Sequence, residues 1–88
     1  MLEKDIERKF CIKVKSLGGR CDKFVSPSNA GVPDRICWLP DGRVVLAEIK
    51  ATGKTLRPLQ LQKKKEYEAL GFKVVVIDSI EDVNNFAG

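Results

Sequence analysis

Ile6, Phe10, Val14 and Leu17 recur at three- and four-residue intervals through a stretch otherwise rich in Lys, Arg, Glu and Asp. That period is the apolar stripe of an amphipathic helix, predicted from about Glu3 to Leu17 and stopped by Gly18-Gly19, which suits a C-cap. The pattern then shortens. Arg20 to Ser26, with Cys21, Phe24 and Val25, predicts an edge-like strand, and Ser26-Pro27-Ser28-Asn29-Ala30-Gly31-Val32-Pro33 has the composition of a loop. Two β-rich runs follow, Asp34 to Leu39 and Arg43 to Ala51, separated by the hairpin connection Pro40-Asp41-Gly42. Pro58 to Leu70 predicts a second helix with proline in its first turn and Gly71 at its end. Phe72 to Ile77 is a short apolar, β-branched run typical of a buried strand, and Ser79-Ile80-Glu81-Asp82 resembles a capping box that opens a short last helix. The order α-β-β-β-α-β-α implies an α/β fold, a mixed sheet flanked by helices on at least one face.

Within this frame the charged positions of one strand stand out. Glu48 and Lys50 lie inside the most apolar run, between Val44-Val45-Leu46 and Ala51, where an unpaired charge is costly. Strand side chains alternate, so Glu48 and Lys50 project from one face and Ile49 from the other. Whether Asp34 joins them depends on hairpin register. A two-residue turn at Asp41-Gly42 sets Asp34 opposite Ile49, on the wrong face. A three-residue loop, with Pro40 starting a type I turn and Gly42 left-handed, sets Asp34 opposite Glu48, and the sequence has the residues that this loop requires. Two carboxylates at the end of one hairpin can hold Mg²⁺ through oxygen ligands, with the Ile49 carbonyl completing the shell. Lys50 beside them can stabilise charge in the transition state of phosphodiester hydrolysis or help orient and deprotonate the attacking water. The bland alternative is a set of surface charges on a solvent-facing hairpin.

Composition narrows the class. Eighty-eight residues suffice for one domain, and 43% hydrophobic with 32% charged residues describes a globular chain. No run approaches the length of a membrane span, and the charged start Met1-Leu2-Glu3-Lys4-Asp5 lacks a secretory signal, so the expected location is the cytoplasm. Cys11, Cys21 and Cys37 are odd in number, widely spaced and without any histidine, which argues against a disulfide framework or a zinc site and predicts reduced, mostly buried thiols. The net charge of +4 favours a polyanionic partner without requiring one. Lys54, Arg57, Lys63, Lys64 and Lys65 flank the predicted site, where they can grip DNA phosphates without reading bases; a solvated helix face is the alternative for Lys63 to Lys65. Gly53-Lys54-Thr55 is not the end of a phosphate-binding loop, because the position five before Gly53 is Glu48.

Gly31-Val32-Pro33-Asp34, followed after a short hairpin by Glu48-Ile49-Lys50, resembles the PD-(D/E)xK nuclease signature. The finer resemblance is to the virus-type replication-repair nuclease (VRR-NUC) domain, and it runs over almost the whole chain. It comprises an acidic first helix, a glycine, the GxPD loop, the strand carrying ExK, the Pro58-Leu59-Gln60 opening of the next helix and a glycine before the last strand. The resemblance implies a structure-specific nuclease needing Mg²⁺ or Mn²⁺, with Asp34 and Glu48 as ligands and Lys50 as the catalytic lysine. It also implies an active-site glutamine at Gln60 and a glutamate from the first helix, for which Glu3 and Glu7 are candidates. Glu3 falls within the arc of Ile6, Phe10, Val14 and Leu17 and Glu7 at its edge, so Glu3 is the preferred ligand. Small stand-alone members similar to this chain occur in phages and resemble archaeal Holliday-junction resolvases in acting as homodimers, so the expected partners are branched DNA and a second copy. Alternatives are a flap, duplex or restriction-like nuclease, a catalytically silent DNA-binding module of the same fold, and a small dimeric interaction protein.

Overall fold

The computed structural model describes residues 1–88. Helix α1 (Glu3–Ser16) leads into strand β1 (Arg20–Lys23), a loop, and strand β2 (Arg35–Trp38). A single 3-10 turn (Pro40–Gly42) joins β2 to β3 (Val44–Ile49), after which come α2 (Pro58–Ala69), β4 (Lys73–Ile77) and α3 (Ile80–Asn85). The order of helices and strands is the one predicted. The four strands lie in the order β1-β2-β3-β4, antiparallel for the first two pairs and parallel between β3 and β4. A parallel pair needs a crossover, and α2 is that crossover.

One face of the sheet carries the core. Ile6, Phe10 and Val14, the predicted stripe of α1, pack with Cys37, Val45, Ala47, Ile49 and Ile77 from the strands and with Val83 and Phe86 from the last helix and the residue following it. Phe10 meets Phe86 edge to face, ring centroids 4.9 Å apart, so the first and last helices close over the same strands. The final helix starts as its sequence suggests, with the Asp82 N–H donating to Ser79 Oγ at 3.0 Å. The reciprocal bond is shifted by one residue, because Asp82 Oδ2 accepts from the N–H of Asp78.

The other face is thinner. Helix α2 has no buried residue, and it leaves Leu59, Leu61 and Leu70 exposed. It is held in place by the glycine loop: Gly31 sits at φ +84° with its α-carbon so close to Leu59 that an added Cβ would stand 2.8 Å from Leu59 Cγ and 3.0 Å from its carbonyl oxygen. Only glycine combines that left-handed backbone with that approach.

The hairpin register settles the alternative left open by the sequence. Arg35 pairs with Ala47, Ile36 with Leu46 and Trp38 with Val44, and the Leu39 N–H donates to the Arg43 carbonyl at 2.8 Å. The loop is therefore the three residues Pro40, Asp41 and Gly42. Its geometry differs from the expected type I turn in one respect: Asp41 is left-handed as well (φ 66°, ψ 24°), along with Gly42 at φ 71°. Aspartate is among the few non-glycine residues that tolerate this region, which explains its place there.

Candidate active site

Continuing the ladder by one step brings Asp34 opposite Glu48. Asp34 immediately precedes β2, so the β2–β3 ladder begins only at Arg35 opposite Ala47 and does not reach Ile49. The Ile49 N–H would be left without a partner, and the Asp34 side chain takes that role, Oδ2 accepting at 2.8 Å. A side chain thus replaces the missing strand at the point where the ladder ends, and this fixes the Asp34 carboxylate beside β3.

Glu48 is only 3% exposed and Lys50 only 8%. Lys50 is held by its backbone, which continues the parallel ladder through a 2.9 Å bond from its N–H to the Ile77 carbonyl. Its ammonium forms no ion pair, and its charge acts on Glu48. Burial, the adjacent Asp34 carboxylate and, more weakly, Glu3 push the Glu48 carboxyl up to about 8 against the opposing influence of Lys50. Two carboxylates crowded at a poorly solvated strand end are a site that a cation or a proton must neutralise.

Gln60 reaches the same place from α2. Its Oε1 accepts from the Arg57 N–H at 2.9 Å, and its Nε2 donates to Glu48 Oε1 at 3.4 Å. One side chain therefore caps the helix and restrains the buried glutamate. Glu3 and Glu7 separate clearly. Glu7 Oε2 accepts from Arg35 Nε at 2.7 Å in a half-buried ion pair between α1 and β2. Glu3, one turn earlier, is exposed and unpaired, and its charge is felt at Glu48. Arg35 projects to the face opposite Asp34, toward α1. Its pairing with Glu7 links residues 28 apart and carries no local sequence signal.

Lys54 and Arg57 are exposed in and beside the loop that leads from the site to α2 and form no ion pair. Lys63 and Lys64 are paired along the helix with Glu66 (3.6 Å) and Glu68 (2.9 Å), which partly neutralises them. No three acidic or thiol groups converge closely enough to enclose an ion by themselves. The oxygen donors at the site are the two carboxylates and the Ile49 carbonyl, which leaves β3 on the same side as the N–H bound by Asp34. No helix is long and apolar enough to cross a membrane.

No family model matches the sequence. Individual relatives do. The chain is 43% identical over 77 residues to a protein of Acyrthosiphon pisum secondary endosymbiont phage 1 named "Putative nuclease p44", covering 88% of this chain and 83% of that one. A solved structure described as a VRR_NUC domain superposes with a TM-score of 0.88 at 25% identity, covering 93% of this chain and 89% of the other. The sheet order agrees with these two likenesses, and the chain belongs to the VRR_NUC nuclease family.

Proposed function

We propose that this chain is a divalent-metal-dependent DNA endonuclease that hydrolyses phosphodiester bonds in branched DNA, working as a homodimer. The observation that carries the reading is the meeting of Asp34 and Glu48 at one strand end, with Lys50 on the same face. The donor set is all oxygen, as Mg²⁺ or Mn²⁺ requires, and the Glu48 carboxyl, raised first by burial and then by Asp34, favours a counter-charge at this place. Asp34, Glu48 and the Ile49 carbonyl would hold the ion, with Glu3 reaching in from the first turn of α1. When bound, the ion supplies Lewis-acid activation of a phosphate oxygen and of the attacking water.

The remaining steps belong to the chain. Lys50, with its stem buried and its ammonium unpaired, offsets the charge that builds on the phosphorus oxygens and helps orient the attacking water. Gln60 keeps Glu48 in position through its amide nitrogen, and its side-chain oxygen stays engaged in the α2 cap. Lys54 and Arg57, exposed and unpaired next to the site, hold backbone phosphates; Lys63 and Lys64 add to this only by exchanging their glutamate partners. These contacts reach the phosphates alone and so carry no sequence readout.

Support for the homodimer comes from the thin face. Phe24, Ile36, Leu46, Tyr67, Trp38 and Phe72 line an entirely apolar depression of about 390 Å³, in which Trp38 and Phe72 remain 45% and 44% exposed. A second copy related by a two-fold axis would cover such a face and set two sites against two strands of a junction.

The test is cleavage of a synthetic four-way junction, beside flap and duplex substrates, with Mg²⁺ or Mn²⁺, for the wild type and Glu48→Gln. Paired nicks near the branch point, abolished in the variant while junction binding persists, are expected. Preferential cutting of flaps or duplex would replace the junction as substrate. Folded protein that binds junctions but cuts nothing in either metal would mark a silent DNA-binding module.

A further inference from the structure

On the face of the sheet opposite Asp34 and Glu48, three cysteine side chains come together that the nuclease chemistry does not use. Cys11 from α1 donates its thiol hydrogen to Cys21 Sγ of β1 at 3.1 Å. Cys21 in turn stands directly across the β1–β2 ladder from Cys37. Cys37 is fully buried and closed to solutes, whereas Cys11 and Cys21 are half-buried. These two line a surface depression of about 330 Å³ with Lys15, Gly19 and Arg20. The three sulfurs do not surround a common point that would hold a metal ion. A disulfide needs only two, at about 2.05 Å, so closure requires Cys11 and Cys21 to approach by about 1 Å, within reach of a side-chain rotation on α1.

We propose that Cys11 and Cys21 are a dithiol site that is oxidised to an intramolecular disulfide by an anionic low-molecular-weight disulfide such as oxidised glutathione. Lys15 at the rim, which forms no ion pair, complements a carboxylate of that reagent, whereas Arg20 is held by Asp22 at 2.9 Å. The Cys11 thiolate attacks one sulfur of the oxidant, breaking its S–S bond, forming a mixed disulfide and releasing one small thiolate. The Cys21 thiolate then attacks the Cys11 sulfur, closes the protein disulfide and releases the second. The two cysteines give up two electrons and two protons in all, and the oxidant is reduced to two thiols. Burial and the Cys21 contact push the Cys11 thiol up to about 12, so the first step is slow at neutral pH and speeds up about tenfold per pH unit between pH 7 and 9 as the thiolate fraction grows. The bridge ties α1 to β1 one turn beyond Glu7, whose pairing with Arg35 fastens the same helix to β2.

The experiment treats the reduced full-length protein with oxidised glutathione at pH 7, 8 and 9 and follows intact mass, tryptic peptides and thermal unfolding. The proposal expects loss of two hydrogen atoms with no glutathione retained, and a link between the peptides Phe10–Lys13 and Cys21–Lys23. It also expects Cys37 to remain alkylatable after unfolding and Tm to rise on the order of 5 °C, reversed by dithiothreitol. Cys37→Ala should keep the bridge, and Cys21→Ser should stop at a single glutathione adduct. A lasting adduct on wild-type Cys11, a Cys21–Cys37 link, cross-linked dimers, or no native reaction under conditions that bridge the unfolded chain would each overturn it.

Discussion

The Glu7 carboxylate is bound by Arg35 at 2.7 Å, which leaves Glu3 as the unpaired one of the two glutamates in the first helix. Both side chains are largely shielded, 25% and 16% exposed, so the bond fastens α1 to the strand that carries Asp34. Glu7→Ala strands a guanidinium next to Cys11 and should cost about 1–3 kcal/mol in urea unfolding. Charge removal at Glu3 should do the reverse: Glu3→Gln leaves the unfolding midpoint within about 0.5 kcal/mol of wild type, as at other exposed sites, but slows junction cleavage. Cleavage by the folded fraction of Glu7→Gln that falls as far as that of Glu3→Gln would reject this division of roles.

Gly31 offers a sharper structural test. Alanine there meets Leu59 Cγ at 2.8 Å and must also adopt φ +84°, so Gly31→Ala should lose about 2–4 kcal/mol of stability. Because Leu59 adjoins Gln60, the displaced start of α2 should also pull Gln60 from Glu48 and lower kcat in protein that is still folded. Gly53→Ala is the control, since its left-handed φ of +82° carries backbone strain with nothing within 4 Å of the added methyl.

The hairpin shows how far local chemistry can be read. Pro40, Asp41 and Gly42 encode a three-residue loop, and that loop length alone places Asp34 opposite Glu48 across strands whose period-two pattern puts Lys50 on the same face. The placing of Asp34, Glu48 and Lys50 on one face was legible because turn type and alternation are short-range rules. What escaped was long-range. The Glu7–Arg35 pair and the convergence of Cys11, Cys21 and Cys37 depend on where α1 crosses the sheet, which no sequence spacing states. Three cysteines that look scattered along the chain therefore become neighbours. The left-handed Asp41 was missed for a different reason, since aspartate permits that conformation without demanding it.

Asp41 follows from the same loop. Asp41→Val places a β-branched residue at φ 66° and should cost about 1–2 kcal/mol, while Asp41→Asn should be nearly neutral because asparagine tolerates the left-handed region. The consequence for function is testable apart from stability: a loop forced into another length shifts the register and moves Asp34 to the wrong face. Lost cleavage should accompany deletion of Asp41 even where circular dichroism reports a folded chain.

Glu48 links stability, pH and metal in one measurement. Its folded carboxyl is raised to about 8, first by burial and then by Asp34, from an ordinary value near 4.5. Between those values the folded state holds a proton that the unfolded state has lost, so stability falls as pH rises from about 4.5 to about 8 and this contribution is gone above that. A divalent ion held there, as proposed, would compete with that proton, so it would bind better at higher pH and release protons on binding. Thermal unfolding with and without Mg²⁺ should therefore show a metal-induced increase in Tm that is larger at pH 8.5 than at pH 6. Glu48→Gln cannot lose a proton, so it should flatten the metal-free pH slope and remove most of the increment. A metal increment in Glu48→Gln equal to that of the wild type would locate the stabilising ion elsewhere and separate the buried glutamate from metal binding.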